Sequence, residues 1–132
     1  LIDAFAFVVT PNHIHLIWRT NALNRKETAQ GSFLKFTAHE FRKILLEDPI
    51  GLSKYEVTAN NKQHEFWQRD SLAVHLYCRQ VMLQKLNYIH LNPLADRWQL
   101  ATNPWNYYYS SARFYEMGEK DFDFLKDIRV EF

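Results

Sequence analysis

Residues 5–19 read Phe5-Ala6-Phe7-Val8-Val9-Thr10-Pro11-Asn12-His13-Ile14-His15-Leu16-Ile17-Trp18-Arg19. An apolar, β-prone run ends at a Thr-Pro-Asn turn signal, and alternation resumes from His13 to Arg19, which predicts two strands paired as a hairpin. Side chains two apart on a strand share a face, so His13 and His15 project together, while Ile14, Leu16 and Trp18 are expected to pack on the core from the other face. Two neutral imidazoles at that separation can chelate a divalent ion. For an arbitrary His-x-His pair, two polar residues on a wet face is the commoner explanation.

Around this hairpin the chain has the size and composition of one folded unit: 132 residues, 47% hydrophobic, 16% aromatic and 23% charged. Those proportions exclude a disordered chain and favour a single domain over a two-domain enzyme. Sixteen Lys and Arg against fifteen Asp and Glu leave a net charge of +1, so bulk charge does not point to nucleic acid. The distribution is uneven: residues 1–46 hold six basic and three acidic side chains, and residues 116–132 hold three basic and six acidic. One lone cysteine, Cys78, excludes an internal disulfide framework and a four-cysteine zinc site. The lone cysteine suits a reducing compartment, so a cytoplasmic address is expected; the apolar run over residues 4–9 is far too short to span a bilayer and lacks the basic flank of a secretion signal, so no membrane partner is expected. The strand pattern begins almost at Leu1, which predicts an upstream segment that includes an edge strand.

Past the hairpin the periodicity turns helical over residues 32–47, with Leu34, Ala38, Phe41 and Leu45 along one stripe and Asp48-Pro49 as the stop. Lys35, His39 and Arg42 gather on the opposite side with Lys43 adjacent. Such a cluster is usually a solvated face; the alternative is that Lys35 and Arg42 track backbone phosphates. Arg69 beside Trp67 can likewise combine charge with base stacking. Residues 55–58 and 65–77 contain β-prone stretches, expected as further strands of an antiparallel sheet, with a polar loop over 59–64 between them. A second helix is predicted over residues 78–91, with Met82, Leu86 and Ile89 on its buried stripe and Pro93 ending it. Aromatics at 105–109 and 114–115 are expected to pack on the domain. His64, His75 and His90 have no spacing that asks for a metal.

On the second helix Tyr88 and Asn92 are one turn apart, about 125° from the centre of the buried stripe. A tyrosine can act as a covalent nucleophile, and an amide oxygen is a hard metal ligand. Taken singly, the Tyr reads as packing over a helix end and the Asn as a cap before proline. Together with His13 and His15 they supply three ligands and a nucleophile, a set suited to breaking a phosphodiester while retaining the cleaved phosphate on the tyrosine.

In this order, Thr10-Pro11-Asn12-His13-Ile14-His15-Leu16, Phe66-Trp67-Gln68-Arg69-Asp70, Tyr88-Ile89-His90-Leu91-Asn92-Pro93 and Trp105 followed by Ser110-Ser111 resemble the motifs of the REP-associated tyrosine transposases. These belong to the single-tyrosine HUH transposase superfamily. The resemblance implies an α+β domain over residues 1–132, with a ferredoxin-like, HUH-type antiparallel sheet, helices packed against it and the nucleophile on a helix. It also implies that His13, His15 and Asn92 bind Mg²⁺ or Mn²⁺ and that Tyr88 forms a 5′-phosphotyrosine link to single-stranded or hairpin DNA. The acting species is then a monomer or a homodimer. Leu94-Ala95-Asp96-Arg97-Trp98 departs from the small, glycine-containing turn expected there after Asn-Pro. The competing reading from another class is a non-catalytic module that binds single-stranded nucleic acid. A metal-independent phosphoesterase would want a second His-bearing motif, and none is evident.

Overall fold

The computed structural model describes residues 2–20, 28–56, 65–67 and 74–131. Strand β1 (Ile2–Thr10) pairs antiparallel with β2 (His13–Thr20), and the helices α1 (Ala29–Leu45), α2 (Pro49–Ser53), α3 (Arg79–Leu91), α4 (Ala112–Met117) and α5 (Ile128–Glu131) follow. The class is α+β. The chain divides into two compact units, Leu1–Leu23 with His75–Phe132, and Asn24–Val74.

In the first unit β1 is buried on both faces, as its unbroken apolar run requires. The register shifts between Ala4 and Ala6, and this irregularity brings Phe5 and Ala6 into the same core cluster. Val8 is opposite His15, and Ala6 is opposite Ile17. Cross-strand partners share a face, so His13, His15 and Ile17 lie on the side of Ala6 and Val8. Ile17 enters the core there with Met82, Leu86 and Ile89 of α3. Ile14, Leu16 and Trp18 are therefore not the residues that meet this core, contrary to the sequence expectation. They are half-buried on the reverse face, where Phe7 meets Phe122 and Phe124 at ring distances of 5.0 and 5.8 Å. Both faces of β2 carry apolar residues, so alternation alone does not tell which one a helix covers.

The further strands expected over 55–58 and 65–77 fall partly outside the described residues. Among the described residues the sheet has two strands, and residues 55–56, 65–67 and 74–77 form no further strand, although Glu56 forms an isolated β-bridge and Glu65 N–H donates to the Tyr55 carbonyl (2.7 Å). The rest of that stretch, with Arg69 and His64, lies outside the described residues. The second edge of β1 is taken by the tail instead. Val9 N–H donates to the Tyr109 carbonyl (2.9 Å), Ser111 N–H to the Phe7 carbonyl (3.0 Å) and Lys126 N–H to the Ala4 carbonyl (3.0 Å). The buried Tyr115 hydroxyl donates to the Phe5 carbonyl (2.7 Å) and accepts from Ile128 N–H (3.1 Å), joining α4 and α5 to β1. The buried Asp3 carboxylate is held by Arg19 (2.7 Å) and Lys126 (2.9 Å).

In the second unit, Thr28 caps α1 by accepting Gly31 N–H through its hydroxyl, so the helix starts three residues before the predicted position. Asp48-Pro49 ends the run as expected but also opens α2, with Asp48 as N-cap and Pro49 in the first turn. Phe66 and Trp67 pack on α1 rather than extend a sheet. The Trp67 indole N–H donates to Thr37 Oγ1 (2.9 Å), and Phe41 lies 5.9 and 5.8 Å from the two rings.

A candidate nucleophile and metal site on the hairpin and α3

β2 begins immediately after the Pro11-Asn12 turn, which sets His13 and His15 at the start of the strand and on the face toward α3. Their rings are nearly parallel, 9° between planes and 6.2 Å between centroids. The Tyr88 ring is edge-on to His15, at 90° and 5.9 Å. This approach follows from the core: Met82, Leu86 and Ile89 seat α3 against Ile17, so the next side chain up the strand, His15, meets Tyr88 beside the buried stripe. Tyr88 itself is 54% exposed. Among the described residues its hydroxyl makes no hydrogen bond, so the phenol oxygen is open to a ligand from solvent.

Asn92 caps α3 in a helical conformation (φ −54°, ψ −42°), one turn beyond Tyr88, and its backbone N–H bonds to the Ile89 carbonyl. It is buried, and its side-chain Oδ1 has no hydrogen-bond partner among the described residues. His15 Nε2 is in the same condition. Buried polar atoms are normally satisfied, so orphaned acceptors on two of the three proposed ligands fit a group that would complete them. At His13, Nδ1 bonds to Asn12 Oδ1 (2.5 Å); with the amide oxygen accepting, Nδ1 carries the proton and Nε2 keeps its lone pair. Burial holds the His15 pKa below its ordinary value, and the neighbouring His13 and Arg97 side chains push it the same way. The ring is thus neutral near pH 7, as a ligand must be. Among the described residues no three His, Cys, Asp or Glu side chains gather to hold a metal, so the candidate donor set is two imidazoles and one amide.

Lys35 and Arg42 are exposed on α1 in the second unit, with Lys43 paired to Glu40 (3.1 Å) beside them. His75 is exposed and stacked with Tyr77. His90 is buried, bonded through Nε2 to Ser111 Oγ (2.8 Å) and tilted against the Tyr115 ring, a structural role in keeping with its spacing.

Two cations near the site are absent from the sequence reading. Lys85 Nζ lies 5.9 Å from the Tyr88 ring centroid, and Arg97 acts electrostatically on His15. The i, i+3 spacing of Lys85 and Tyr88 was a readable signal for the first; nothing local announced the second. Comparisons with protein-family models, curated proteins and solved structures find no match for this chain.

Proposed function

We propose that the chain is a metal-dependent nickase and strand-transfer enzyme of the single-tyrosine HUH type, akin to the REP-associated tyrosine transposases, acting in the cytoplasm on single-stranded or hairpin DNA. The observation that carries this reading is the edge-on approach of Tyr88 to His15, with His15 Nε2 and Asn92 Oδ1 both buried and unpartnered. His13, His15 and Asn92 would hold Mg²⁺ or Mn²⁺, which when bound makes the phosphodiester more electrophilic and stabilises the charge that develops as it breaks.

The chain's own residues do the rest. Tyr88 presents its hydroxyl from an exposed position on a packed helix. Its oxygen bonds to phosphorus as the P–O3′ bond breaks, the phenol gives up its proton, and the departing 3′ oxygen takes one up. The products are a 5′-phosphotyrosine and a free 3′-hydroxyl. Because the phosphate stays activated on the protein, the same 3′-hydroxyl or another one can reverse the step, which is strand transfer. The buried stripe of α3 positions the nucleophile, and the Asn12 contact orients His13.

Incubation with end-labelled hairpin DNA and Mn²⁺ is expected to yield a covalent adduct that survives boiling in detergent and is absent for Tyr88→Phe. An adduct undiminished in that variant removes Tyr88 from the role. Binding of the labelled DNA with no adduct, unaffected by chelator, instead identifies a non-catalytic binding module.

A further inference from the structure

Charge pairing in the first unit is selective. Arg19, Arg113, Lys126 and Arg129 are each held by a carboxylate. Lys85 and Arg97 are exposed and have no carboxylate partner among the described residues. Lys120 also has no carboxylate partner among the described residues, but it lies between Glu119 and Asp121 in the chain, whereas Arg97 has one acidic neighbour, Asp96, and Lys85 has none.

The two site cations bracket the nucleophile along the chain. Lys85 is one turn before Tyr88 on the same side of α3, with its ammonium against the ring. Arg97 follows Asn92 on a turn folded back onto the helix end: Trp98 N–H donates to the Ala95 carbonyl (2.8 Å) and Leu100 N–H to the Pro93 carbonyl (2.8 Å). Gln99 takes a left-handed conformation (φ 46°) to complete this reversal. The Arg97 guanidinium rests over the Trp98 ring at 5.3 Å, which restrains it without neutralising it.

We propose that Lys85 and Arg97 bind the backbone phosphates that flank the one attacked by Tyr88. The ligand of this site is then a continuous single strand running past Tyr88 on both sides, not a mononucleotide or a chain end. The inference rests on the nickase reading for the identity of the attacked bond, but the phosphate contacts can be measured separately from it.

The test is the salt dependence of binding by the full chain to a fluorescently labelled oligothymidylate, read between about 50 and 200 mM salt. Lys85→Gln and Arg97→Gln are each expected to lower the slope of log affinity against log salt by about 0.7, one single-strand phosphate contact. Lys85→Arg and Arg97→Lys are expected to keep the slope, as is Lys120→Gln, which removes an equal charge elsewhere. All of these side chains are exposed, so thermal midpoints should stay together and exclude misfolding. Slopes unchanged in both Gln variants overturn the inference, and so does an equal fall for Lys120→Gln. If the Tyr88-dependent adduct forms while the slopes do not move, the inference fails alone. If the slopes fall as expected but no adduct forms, the nickase reading fails alone.

Discussion

Acid should weaken the fold through one imidazole. His90 is buried beside Ser111 and the Tyr115 ring, and desolvation depresses its pKa from 6.5 to about 4. The folded protein holds the ring neutral, whereas the unfolded chain takes up a proton near pH 6.5. Between those values the unfolded state binds more protons, so stability rises with pH across the window. The contribution is complete above about pH 6.5 and is lost as pH falls toward 4. A gap of about 2.5 pH units corresponds to about 3 kcal/mol, a large share of a typical domain stability of roughly 5–15 kcal/mol. The His15 pKa is lowered too and adds in the same direction, while the lowered pKa of Asp127 acts below pH 3.8. Urea unfolding of the parent and of His90→Gln at stepped pH values from 7 to 4 isolates the one residue. The parent should lose about 3 kcal/mol more than the variant over that range, with similar dependence on urea concentration. Parallel pH profiles, or a His90 ring resonance that titrates near pH 6.5, would refute the argument.

Three other outcomes follow from named contacts. Ser111→Ala removes the acceptor of the Phe7 N–H (3.0 Å) and the partner of His90 Nε2, leaving two buried groups unsatisfied; a loss of about 2–4 kcal/mol in denaturant unfolding is expected, and a neutral result would mean that the neighbours re-pair. Gly118 closes α4 at φ 71° with open space where a β-carbon would stand, so Gly118→Ala should cost about 1 kcal/mol through backbone strain alone, measured as a shift in thermal midpoint. Mn²⁺ at about a hundred times its dissociation constant should stabilise the protein by about 2.7 kcal/mol, and His15→Ala or Asn92→Ala should remove most of that gain; the same metal-induced shift in both variants would exclude them as ligands.

Much of the site's framework was legible because it is local. The Thr10-Pro11-Asn12 turn, the shared face of His13 and His15, and the Met82, Leu86 and Ile89 stripe all follow from backbone periods of two and of 3.6 residues. The one-turn spacing of Tyr88 and Asn92 does as well. Periodicity describes a face but does not say what covers it. That choice was tertiary: α3 lies on the histidine side of β2 and the Phe122 and Phe124 rings on the other, which makes Ile17 the core residue of the strand in place of Ile14, Leu16 and Trp18. The tail's occupation of the β1 edge, the pairing of His90 with Ser111 and the action of Arg97 on His15 are likewise beyond local reading. Each joins residues far apart in the chain, where burial and unpaired charge, rather than intrinsic propensity, decide which partners meet.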